Sequence, residues 1–515
     1  MPDSESVKRE TGIQFTRGIP TGRSAGSKPA LQEQCGVFAT AFLTLFLFCS
    51  CSGATAQSEA AKESASKSDT PNELTGRERA AELPSADSAW AKVPEILARI
   101  VAPKFPDREF VITKFGAVAD GETDSTDAFR KAIDACNKAG GGKVVVPKGV
   151  FLTGAIHLKS NVNLHIVKDA TIRFSTNTAD FLPVVFARYE STEVMNYSPF
   201  IYAFEQENIA ITGEGTLDGQ GSKSVWHQWK QSGKPDEKRL VEMGDNNVSV
   251  KERIFGEGHM LRPNFVQPLR CRNVLIEGIR VIDAPMWALN PVYCTNVTVR
   301  GVTIDTKGKG GKAPNTDGCN PESSTDVLIE DCVFNTDDDC IAIKSGRDND
   351  GRRVNIPSQN IIIRNCKFSA GHGGVTAGSE TAGGVRNVFA ENCIFDSPDL
   401  KMAIRLKTNP KRGGFIEDFY VRNCTVNKAI TGIHMTMQYD KIVEGDAMPF
   451  VRNVDIRNVT FDDLKQAVVI EGISEAAKIS DVTIANCVFK NAQQKSKVTF
   501  AERVNFTKSS GVVID

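Results

Sequence analysis

The chain has 515 residues, of which 40% are hydrophobic and 24% are charged, and its formal net charge at pH 7 is −1. This composition is that of a soluble protein with enough apolar residues for a large core. It excludes a chain that binds nucleic acid through bulk positive charge, a collagen-like fibre and a wholly disordered polypeptide.

Residues 1–56 have the pattern of an export signal peptide. A polar leader with scattered basic residues precedes an apolar run at residues 37–48, and the small-x-small site Ala54-Thr55-Ala56 follows. This order predicts export to the periplasm or the extracellular space. The apolar run is too short for a comfortable membrane span. Cleavage after Ala56 is favoured, and lipid anchoring at Cys51 is the alternative.

Residues 57–107 are predicted to be a linker and a poorly ordered segment. They begin rich in Ala, Ser, Glu and Lys without an apolar period, and order is expected to start near Trp90. Residues 108–515 are predicted to form the folded domain. Near its start, residues 126–138 fit a short amphipathic helix that glycines terminate. Such a helix would cap the open end of a repetitive fold.

A repeat runs through the folded domain. Its units alternate apolar and polar residues, as strands with one buried face do, and a Gly, Asn or Asp then supplies a left-handed bend. The units start 23 to 35 residues apart, at Asn273, Asn296, Asp326, Asn360, Asn387, Asp418, Asn453 and Asp481. Short strands repeated in this way predict an all-β fold, a right-handed parallel β-helix.

Five cysteines occupy one position in successive units: Cys332, Cys366, Cys393, Cys424 and Cys487. Neighbouring coils of a β-helix lie about 4.8 Å apart, so these cysteines are expected to stack inside as small apolar side chains rather than to form disulfides. The pattern leaves the state of five other cysteines open, namely Cys136, Cys271, Cys294, Cys319 and Cys340.

Four polar clusters interrupt the repeat. They are Asn315-Thr316-Asp317-Gly318, Asp337-Asp338-Asp339-Cys340, Gly371-His372-Gly373-Gly374 and Arg405-Leu406-Lys407. The steps from Asp317 to Asp338, His372 and Arg405 are 21, 34 and 33 residues, each about one coil. A β-helix would therefore line these side chains up as one stripe on one face.

The stripe has the groups needed to hydrolyse a glycosidic bond of an acidic sugar. Crowding of the Asp317, Asp338 and Asp339 carboxylates raises the pKa of one of them, which gives a protonated acid beside an ionised base. Arg405 and Lys407 share one face of a strand and can hold a uronate carboxylate. Each cluster alone is more often a turn or a solvated surface, but their order and spacing favour a site. A Ca²⁺ site is the weaker alternative, because the two basic residues would oppose a cation.

These four clusters, in this order, resemble the motifs of the polygalacturonase family, glycoside hydrolase family 28. The resemblance extends from about Phe110 onward. It implies a β-helical enzyme that hydrolyses α-1,4-linked galacturonic acid in pectin with inversion, without a metal or another cofactor. The resemblance matches Asp338 to the general acid, and Asp317 and Asp339 to the carboxylates that activate water. The other matches are the acid-supporting His372, the galacturonate-binding Arg405 and Lys407, and the site-holding Asn315.

The segment at residues 226–260 is charged and lacks the repeat, and it is long enough to close one end of a cleft. This favours exo action on a pectin or oligogalacturonide chain. A solenoid enzyme of this size is expected to be a monomer. Tyr439 is favoured as a residue that stacks on a sugar ring, whereas Trp287 is favoured as a core residue and Tyr293 is a weaker stacking candidate. The alternatives are a calcium-dependent pectin lyase and a non-catalytic polysaccharide-binding β-helix.

Overall fold

The computed structural model describes residues 84–308 and 312–515. The predicted export segment, residues 1–56, and the first part of the predicted linker lie outside the described residues. In the described part, nearly all strand pairs are parallel, and residues about one unit apart in sequence are neighbours across the sheets. The chain is a right-handed parallel β-helix, so the predicted all-β fold is confirmed.

The longest sheet has thirteen parallel strands among the described residues, one from each coil. Its strands are Glu109–Val111, Gly142–Val146, Val162–Ile166, Glu207–Gly213, Arg272–Glu277, Thr295–Arg300, Thr325–Glu330, Ser358–Arg364, Val385–Glu391, Phe415–Arg422, Phe450–Arg457, Ile479–Ala485 and Ala501–Thr507. The predicted repeat units are the strands of this sheet. Their apolar residues point into one continuous core that fills the coil.

The other two faces of the coil carry shorter strands, and two long strands, Lys367–Ala377 and Thr425–Thr436, run across both faces. The second face has Asp120–Asp124, Gly149–Thr153, Ala170–Phe174, Thr216–Asp218, Arg280–Ile282, Thr303–Asp305, Val333–Asn335, Ile394–Asp396, Thr460–Phe461 and Val488–Phe489. The third face has Ile156–His157, Ile201–Phe204, Val266–Leu269, Ile341–Ile343, Leu400–Lys407, Leu464–Glu471, Ala492–Gln494 and Lys497–Thr499. Single bridges through Leu289 and Cys319 connect Val266 to Ile341 on this third face.

Left-handed residues turn the chain at two places in each unit. The predicted bend residues have positive φ, for example 57° at Asp331, 55° at Asn365 and 56° at Asn392. The first residue of each unit is also left-handed, and in several units its side chain hydrogen-bonds to the equivalent residue of a neighbouring coil. Asn296 Nδ2, for instance, donates to Asn273 Oδ1 at 2.8 Å. Asn and Asp tolerate this conformation best among non-glycine residues, so the ladder explains their recurrence.

The cysteines behave as small core residues. The ten cysteines of the described residues are all buried and none forms a disulfide with another described cysteine. The five expected in a ladder, Cys332, Cys366, Cys393, Cys424 and Cys487, therefore lie inside the coil as predicted, and the five left open by the sequence share that environment. Phenylalanines stack in the same manner, with the Phe368 and Phe395 ring centroids 4.6 Å apart.

An α-helix at Thr126–Lys138 covers the first coils, as the sequence predicted. Phe129, Ala132 and Ile133 on its apolar face are buried in the main core. The helix therefore shields one end of the core from water, which a repetitive fold requires of its terminal unit.

Regular structure begins inside the predicted linker at residues 57–107, close to Trp90, where order was expected to start. Two α-helices, Ala86–Trp90 and Val93–Arg99, lie on the outer face of the thirteen-stranded sheet. Trp90 contacts Phe389 edge to face at a centroid distance of 5.2 Å, and the Arg422 guanidinium lies 3.7 Å from the Trp90 ring centroid. The sheet is apolar on its outer face here, and the helices bury that surface. The apolar residues spaced through residues 86–99 were the available sequence signal for these two helices.

The remaining elements project from the coil. They are the α-helices Trp226–Ser232, Lys234–Asp245 and Asp348–Val354, the 3-10 helices Ile112–Phe115, Thr178–Phe181, Val250–Glu252 and Tyr439–Lys441, and the strands Val185–Tyr189, Thr192–Asn196 and Ile254–Phe255. The first two of these strands form an antiparallel hairpin, to which the third adds. No helix of the described residues combines the length and the apolar character that a membrane span requires.

Replacement of Trp90 by alanine should destabilise the folded chain by about 3 kcal/mol, the lower part of the range for losing a buried tryptophan. The variant loses the contacts with Phe389 and Arg422 and leaves a cavity over the sheet. Denaturant unfolding measures the loss. Lys92→Ala, an exposed change between the same two helices, is the control, and equal stability of the two variants would contradict the packing role of Trp90.

Candidate active site

The third face of the coil carries the polar stripe predicted from the sequence. Cys319, Ile341, Val375 and Ile404 are direct neighbours on successive coils. Asp317 and Asp339 each stand two residues before such a neighbour, so both carboxylates project from the same side of adjacent coils. His372, Arg405 and Lys407 come from the next two strands, Lys367–Ala377 and Leu400–Lys407. The coil therefore brings together residues that lie up to 90 positions apart in sequence.

Asp339 is buried between two cations. Its Oδ1 accepts a hydrogen bond from Arg405 Nη1 at 3.0 Å, and its Oδ2 accepts one from Lys407 Nζ at 2.7 Å. Burial alone would raise the pKa of Asp339, but Lys407 and Arg405 outweigh it and hold the pKa below the usual value. Asp339 is therefore an ionised carboxylate whose cations are fixed by charge-assisted bonds.

Asp338 lies beside His372 and is more accessible. Its Oδ1 lies 3.0 Å from His372 Nδ1 and also accepts the Asp339 backbone N–H at 2.9 Å. Burial would raise the pKa of Asp338, but the hydrogen bond and the positive charge of His372, together with Lys407, lower it. The carboxyl side chain is 21% exposed and can meet a ligand.

Asp317 is the carboxyl of this group with a raised pKa. Its burial is the main cause and the neighbouring Asp338 charge is the second. Asn320 Nδ2 donates to Asp317 Oδ2 at 2.9 Å, while the buried Oδ1 has no hydrogen-bond partner among the described residues. The pKa of Asp317 is thus raised mainly by burial and only secondly by crowding, whereas the matched acid, Asp338, has a lowered pKa in the unliganded chain.

Asn315, Arg262 and Tyr439 complete the edges of the site. Asn315 Oδ1 accepts a hydrogen bond from Arg262 Nη2 at 2.7 Å, which fixes a residue with a left-handed φ of 55°. The Tyr439 ring centroid lies 5.0 Å from Lys407 Nζ and 5.7 Å from the Arg405 guanidinium carbon. All eight residues that the sequence singled out for the site therefore lie in one region.

The two other aromatic candidates, Trp287 and Tyr293, lie in different places relative to the site. Trp287 is buried in a secondary apolar cluster, as predicted, but it also lines a cavity of the site, and its ring centroid lies 4.8 Å from Lys344 Nζ. Tyr293 donates a hydrogen bond to Glu193 and lines a separate surface cavity. The weaker expectation that Tyr293 stacks on a sugar in this site is therefore wrong.

Two adjoining cavities meet at Asp338. An inner cavity of about 230 Å³ includes Asp317, Asp339, Lys407 and Tyr439 in its lining. An open cavity of about 830 Å³ includes His372, Lys307, Lys401 and Ile430. Asp338, Asn315 and Lys230 line both cavities. The cleft therefore changes character at Asp338, from a smaller cavity rich in carboxylates to a larger cavity lined by lysines and aspartates together.

The sequence reasoning did not assign the second layer of charges in the inner cavity. Lys344 Nζ donates to Glu380 Oε2 at 2.8 Å, and Arg412 lies 3.6 Å from the other oxygen of Glu380. Burial would raise the pKa of Glu380, but Lys344 and Arg412 hold it well below its usual value. A lysine directly after the apolar strand Ile341–Ile343 was the available signal, because that strand follows Asp338 and Asp339 on the same coil.

Oxygens of Asp317, Asp338 and Asp339 lie within 4.8 Å of one another, so these residues could in principle hold a cation. The protein's own cations already meet this charge, because Arg405 and Lys407 bind both oxygens of Asp339 and His372 binds Asp338. A divalent ion would have to enter against those positive groups. The charge arrangement favours carboxylates that act on a substrate.

Comparison with known proteins gives the family. The family model of glycosyl hydrolases family 28 matches residues 136–510. The chain belongs to glycosyl hydrolases family 28. It is similar to a probable polygalacturonase of Vitis vinifera, with 30% identity over 401 residues that cover 75% of this chain and 75% of that protein. It is also similar to the exo-poly-α-D-galacturonosidase of Dickeya chrysanthemi, with 29% identity over 359 residues that cover 64% of this chain and 57% of that protein.

Solved structures agree with this family 28 membership. The crystal structure of a hyperthermoactive exopolygalacturonase from Thermotoga maritima matches with a TM-score of 0.77 and 40% sequence identity, over 82% of this chain and 96% of that chain. The polygalacturonase of Erwinia carotovora matches with a TM-score of 0.61 and 23% identity, over 79% of this chain and 99% of that chain, which supports the fold. The protein is therefore a glycoside hydrolase with a β-helical fold.

Replacement of Lys407 by methionine should destabilise this hydrolase by about 3 kcal/mol at neutral pH, the lower end of the range for breaking a buried ion pair, because Arg405 still pairs with Asp339. The wild-type Asp339 has a lowered pKa and stabilises the fold above its unfolded-state pKa. Without Lys407, burial raises that pKa, so the deficit should shrink as acid protonates Asp339.

Denaturant unfolding between neutral pH and pH 4 measures this dependence. Lys401→Met, the same change on an exposed position of the same strand, is the control. A deficit that stays constant with pH, or one shared by the Lys401 variant, would contradict the ion-pair account.

Proposed function

We propose that this glycoside hydrolase cleaves α-1,4-linked galacturonic acid from the non-reducing end of pectin-derived chains, with inversion. The family, the similarity to exo-acting polygalacturonases and the Arg405 and Lys407 pair beside the aspartates support this substrate class. The position of Asp338 at the junction of two unlike cavities carries the proposal, because it defines which side of the scissile bond each cavity holds.

The residues around Asp338 indicate which cavity holds the glycone and which holds the leaving sugar. Asp317 and Asp339, the proposed water-activating carboxylates, line the inner cavity. Water must attack the anomeric carbon, which belongs to the glycone. His372 and the acid face the open cavity, where the leaving sugar takes the proton. The inner cavity therefore holds the glycone, and its volume of about 230 Å³, against about 830 Å³ for the open cavity, suits a short saccharide on that side.

The proton for the leaving oxygen comes from Asp338. In the free chain Asp338 Oδ1 lies 3.0 Å from His372 Nδ1, a distance over which a proton can pass. A bound sugar displaces water and disfavours the ionised carboxylate, which favours the protonated form of Asp338. The Asp338 carboxyl then protonates the glycosidic oxygen as the bond to the anomeric carbon breaks.

Asp317 is the stronger base of the two carboxylates that hold water. Its raised pKa makes its ionised form the stronger base, and in that form the buried Oδ1, which has no hydrogen-bond partner among the described residues, can take a proton from water as the hydroxyl adds to the anomeric carbon. Asp339 stays ionised between Arg405 and Lys407 and orients them. Because one carboxylate cannot neutralise two cations fully, Arg405 and Lys407 can still attract the galacturonate carboxylate.

The aspartates of this site lie closer together than the acid and base of most inverting enzymes. Oxygens of the three aspartates lie within 4.8 Å of one another, whereas acid and base carboxyls of most inverting enzymes lie about 6.5–9.5 Å apart. Inversion here is supported by the matched motif with two water-binding carboxylates. Water would then approach beside Asp317 and Asp339 rather than between two widely separated groups.

Defined oligogalacturonides should yield monogalacturonate as the first product, with new reducing ends and without a requirement for divalent cations. Chromatography of a time course reads the product size, and proton NMR of the first turnovers should show the β-anomer expected for inversion of an α-linkage. A ladder of sizes would contradict exo action, and first release of the α-anomer would contradict inversion. Products that absorb in the ultraviolet, formed only without chelator, would identify a calcium-dependent lyase.

Asp338→Asn should lower turnover by about 10²- to 10⁴-fold, the usual contribution of a general acid, because asparagine cannot donate the proton. Binding of oligogalacturonide, measured by calorimetry, should persist. Asp331→Asn, the same change at an outer bend whose left-handed φ asparagine tolerates, is the control. Full turnover by Asp338→Asn would remove Asp338 from the acid role, and a non-catalytic binding protein would show no turnover in any form.

We also propose that residues 1–56 direct export and that cleavage follows Ala56, with lipid anchoring at Cys51 as the alternative. The polymeric substrate supports an extracytoplasmic site of action. A monomer is proposed for the working state, since the cleft is lined by residues of one chain.

A further inference from the structure

A chain of buried amide side chains leads through the coil to Asp317. Its members are Asn264, Gln267, Asn290 and Asn320, each at most 3% exposed. They come from three successive coils of the third face, which are connected there by the strand Val266–Leu269 and the single bridges that follow it. The mechanism proposed above gives none of these four side chains a role.

Asn290 is the centre of this amide chain. Its Oδ1 accepts hydrogen bonds from Asn264 Nδ2 at 3.0 Å and from Gln267 Nε2 at 2.7 Å. Both donors also reach the Arg188 backbone carbonyl, at 3.1 Å and 3.2 Å. Asn290 Nδ2 donates in turn to the backbone carbonyl of Asn320 at 2.8 Å. The Asn290 side chain is therefore held through its nitrogen and its oxygen, and a rotation would leave buried polar atoms unpaired.

Asn320 passes this restraint on to Asp317. Its backbone N–H donates to the Leu289 carbonyl at 2.7 Å, so both backbone groups of Asn320 are tied to the neighbouring coil. Its side-chain Nδ2 donates to Asp317 Oδ2 at 2.9 Å, and its Oδ1 has no hydrogen-bond partner among the described residues. In the described part of the chain, Asn320 lines neither the inner nor the open cavity. It can therefore act on a substrate only through Asp317.

Opposing effects act on the Asp317 carboxyl. Burial and then the Asp338 charge raise the pKa of Asp317, and Asp339 adds to the rise, while Lys344 and the Asn320 N–H lower it. Further charged side chains in the lining of the same cavity include Lys407, Glu380 and Arg412. The Asn320 amide is neutral, so it stabilises the ionised carboxylate without changing the charge that a substrate meets.

We propose that Asn320 is a positioning residue for the base: its amide N–H occupies Oδ2 of Asp317, so that Oδ1 is the oxygen that takes the proton from water. This inference rests on the proposed function, in which Asp317 is the base. The water loses one proton to Oδ1 and its oxygen bonds to the anomeric carbon. The glycosidic bond breaks, and the leaving oxygen takes the proton of Asp338.

The decisive variant is Asn320→Leu, a side chain of similar size and shape without the N–H donor. Because Asn320 Oδ1 has no partner in the described structure, the change removes the bond to Asp317 and no other side-chain hydrogen bond of Asn320. The matched control is Asn163→Leu on the thirteen-stranded sheet, where Asn163 is 6% exposed and accepts a hydrogen bond from Thr212. Neither change alters the charges around Asp317.

The assay measures kcat and KM on trigalacturonate across a range of pH. In Asn320→Leu, kcat should fall by about 10- to 100-fold, the effect of losing one hydrogen bond to a charged group, while KM stays near the wild-type value. Without the donor the pKa of Asp317 rises further, and the base must be ionised to act, so the acid limb of the kcat profile should move to higher pH. The Asn163→Leu variant should keep the wild-type profile. A folded Asn320→Leu variant whose acid limb has not moved would overturn the proposal.

The wild type provides a second test that needs no variant. A neutron crystal structure, from crystals exchanged into D₂O at a pH below the acid limb, locates the deuterons around Asp317. The proposal expects a deuteron on Asp317 Oδ1 and the Asn320 Nδ2 deuterons directed at Oδ2. A deuteron on Oδ2 would overturn the proposal, and this measurement decides the matter if Asn320→Leu does not fold.

Asp317→Asn separates failure of this inference from failure of the proposed function. Retained turnover in Asp317→Asn would overturn the base role of Asp317 itself, whatever Asn320→Leu does. Loss of turnover in Asp317→Asn, together with a wild-type pH profile in Asn320→Leu, would overturn the role of Asn320 alone. Thermal unfolding confirms that each variant is folded before its kinetics are compared.

Discussion

The in-register stacking of parallel coils is the constraint on which the rest of the molecule depends. Each coil places one residue beside its equivalent on the next, as Cys319, Ile341, Val375 and Ile404 show. A shift of one residue in any strand would turn its polar side chains into the core. The buried cysteines, the stacked phenylalanines and the asparagine ladder all resist such a shift, so the structural repeat fixes the positions of the catalytic groups.

The same stacking creates an electrostatic problem that the basic residues solve. Three aspartates on adjacent coils would repel one another strongly if all were ionised and unpaired. The next coils supply His372, Arg405 and Lys407, which meet two of the three charges at 2.7–3.0 Å. Asp317 lacks such a direct cation, and its pKa is raised. The asymmetry between base and acid thus follows from the order of residues along one face.

Much of this was predictable because it depends on local patterns repeated many times. The alternation of apolar residues fixed the strands, and Asn, Asp or Gly at one position fixed the bends, so the fold and the stripe could be inferred together. The pKa order could not, because it depends on which carboxylate meets His372 and which is left to burial. The helices at residues 86–99 were missed because their spaced apolar residues were not recognised as a face that packs on the sheet.

The ion cluster in which Glu190 accepts hydrogen bonds from Lys230 and Arg347 shows where such inference stops. A repeat predicts only what lies one coil away, whereas Lys230, Glu190 and Arg347 come from excursions whose paths no period determines. Their meeting depends on the hairpin tip, on two short helices and on a buried ion cluster. This division has a physical reason, since the coil must keep its register to remain folded while its loops can vary freely in length. The proposed catalytic groups therefore belong to the coil, and the segments that project from it add charged side chains such as Lys230 and Arg347 to the lining of the inner cavity.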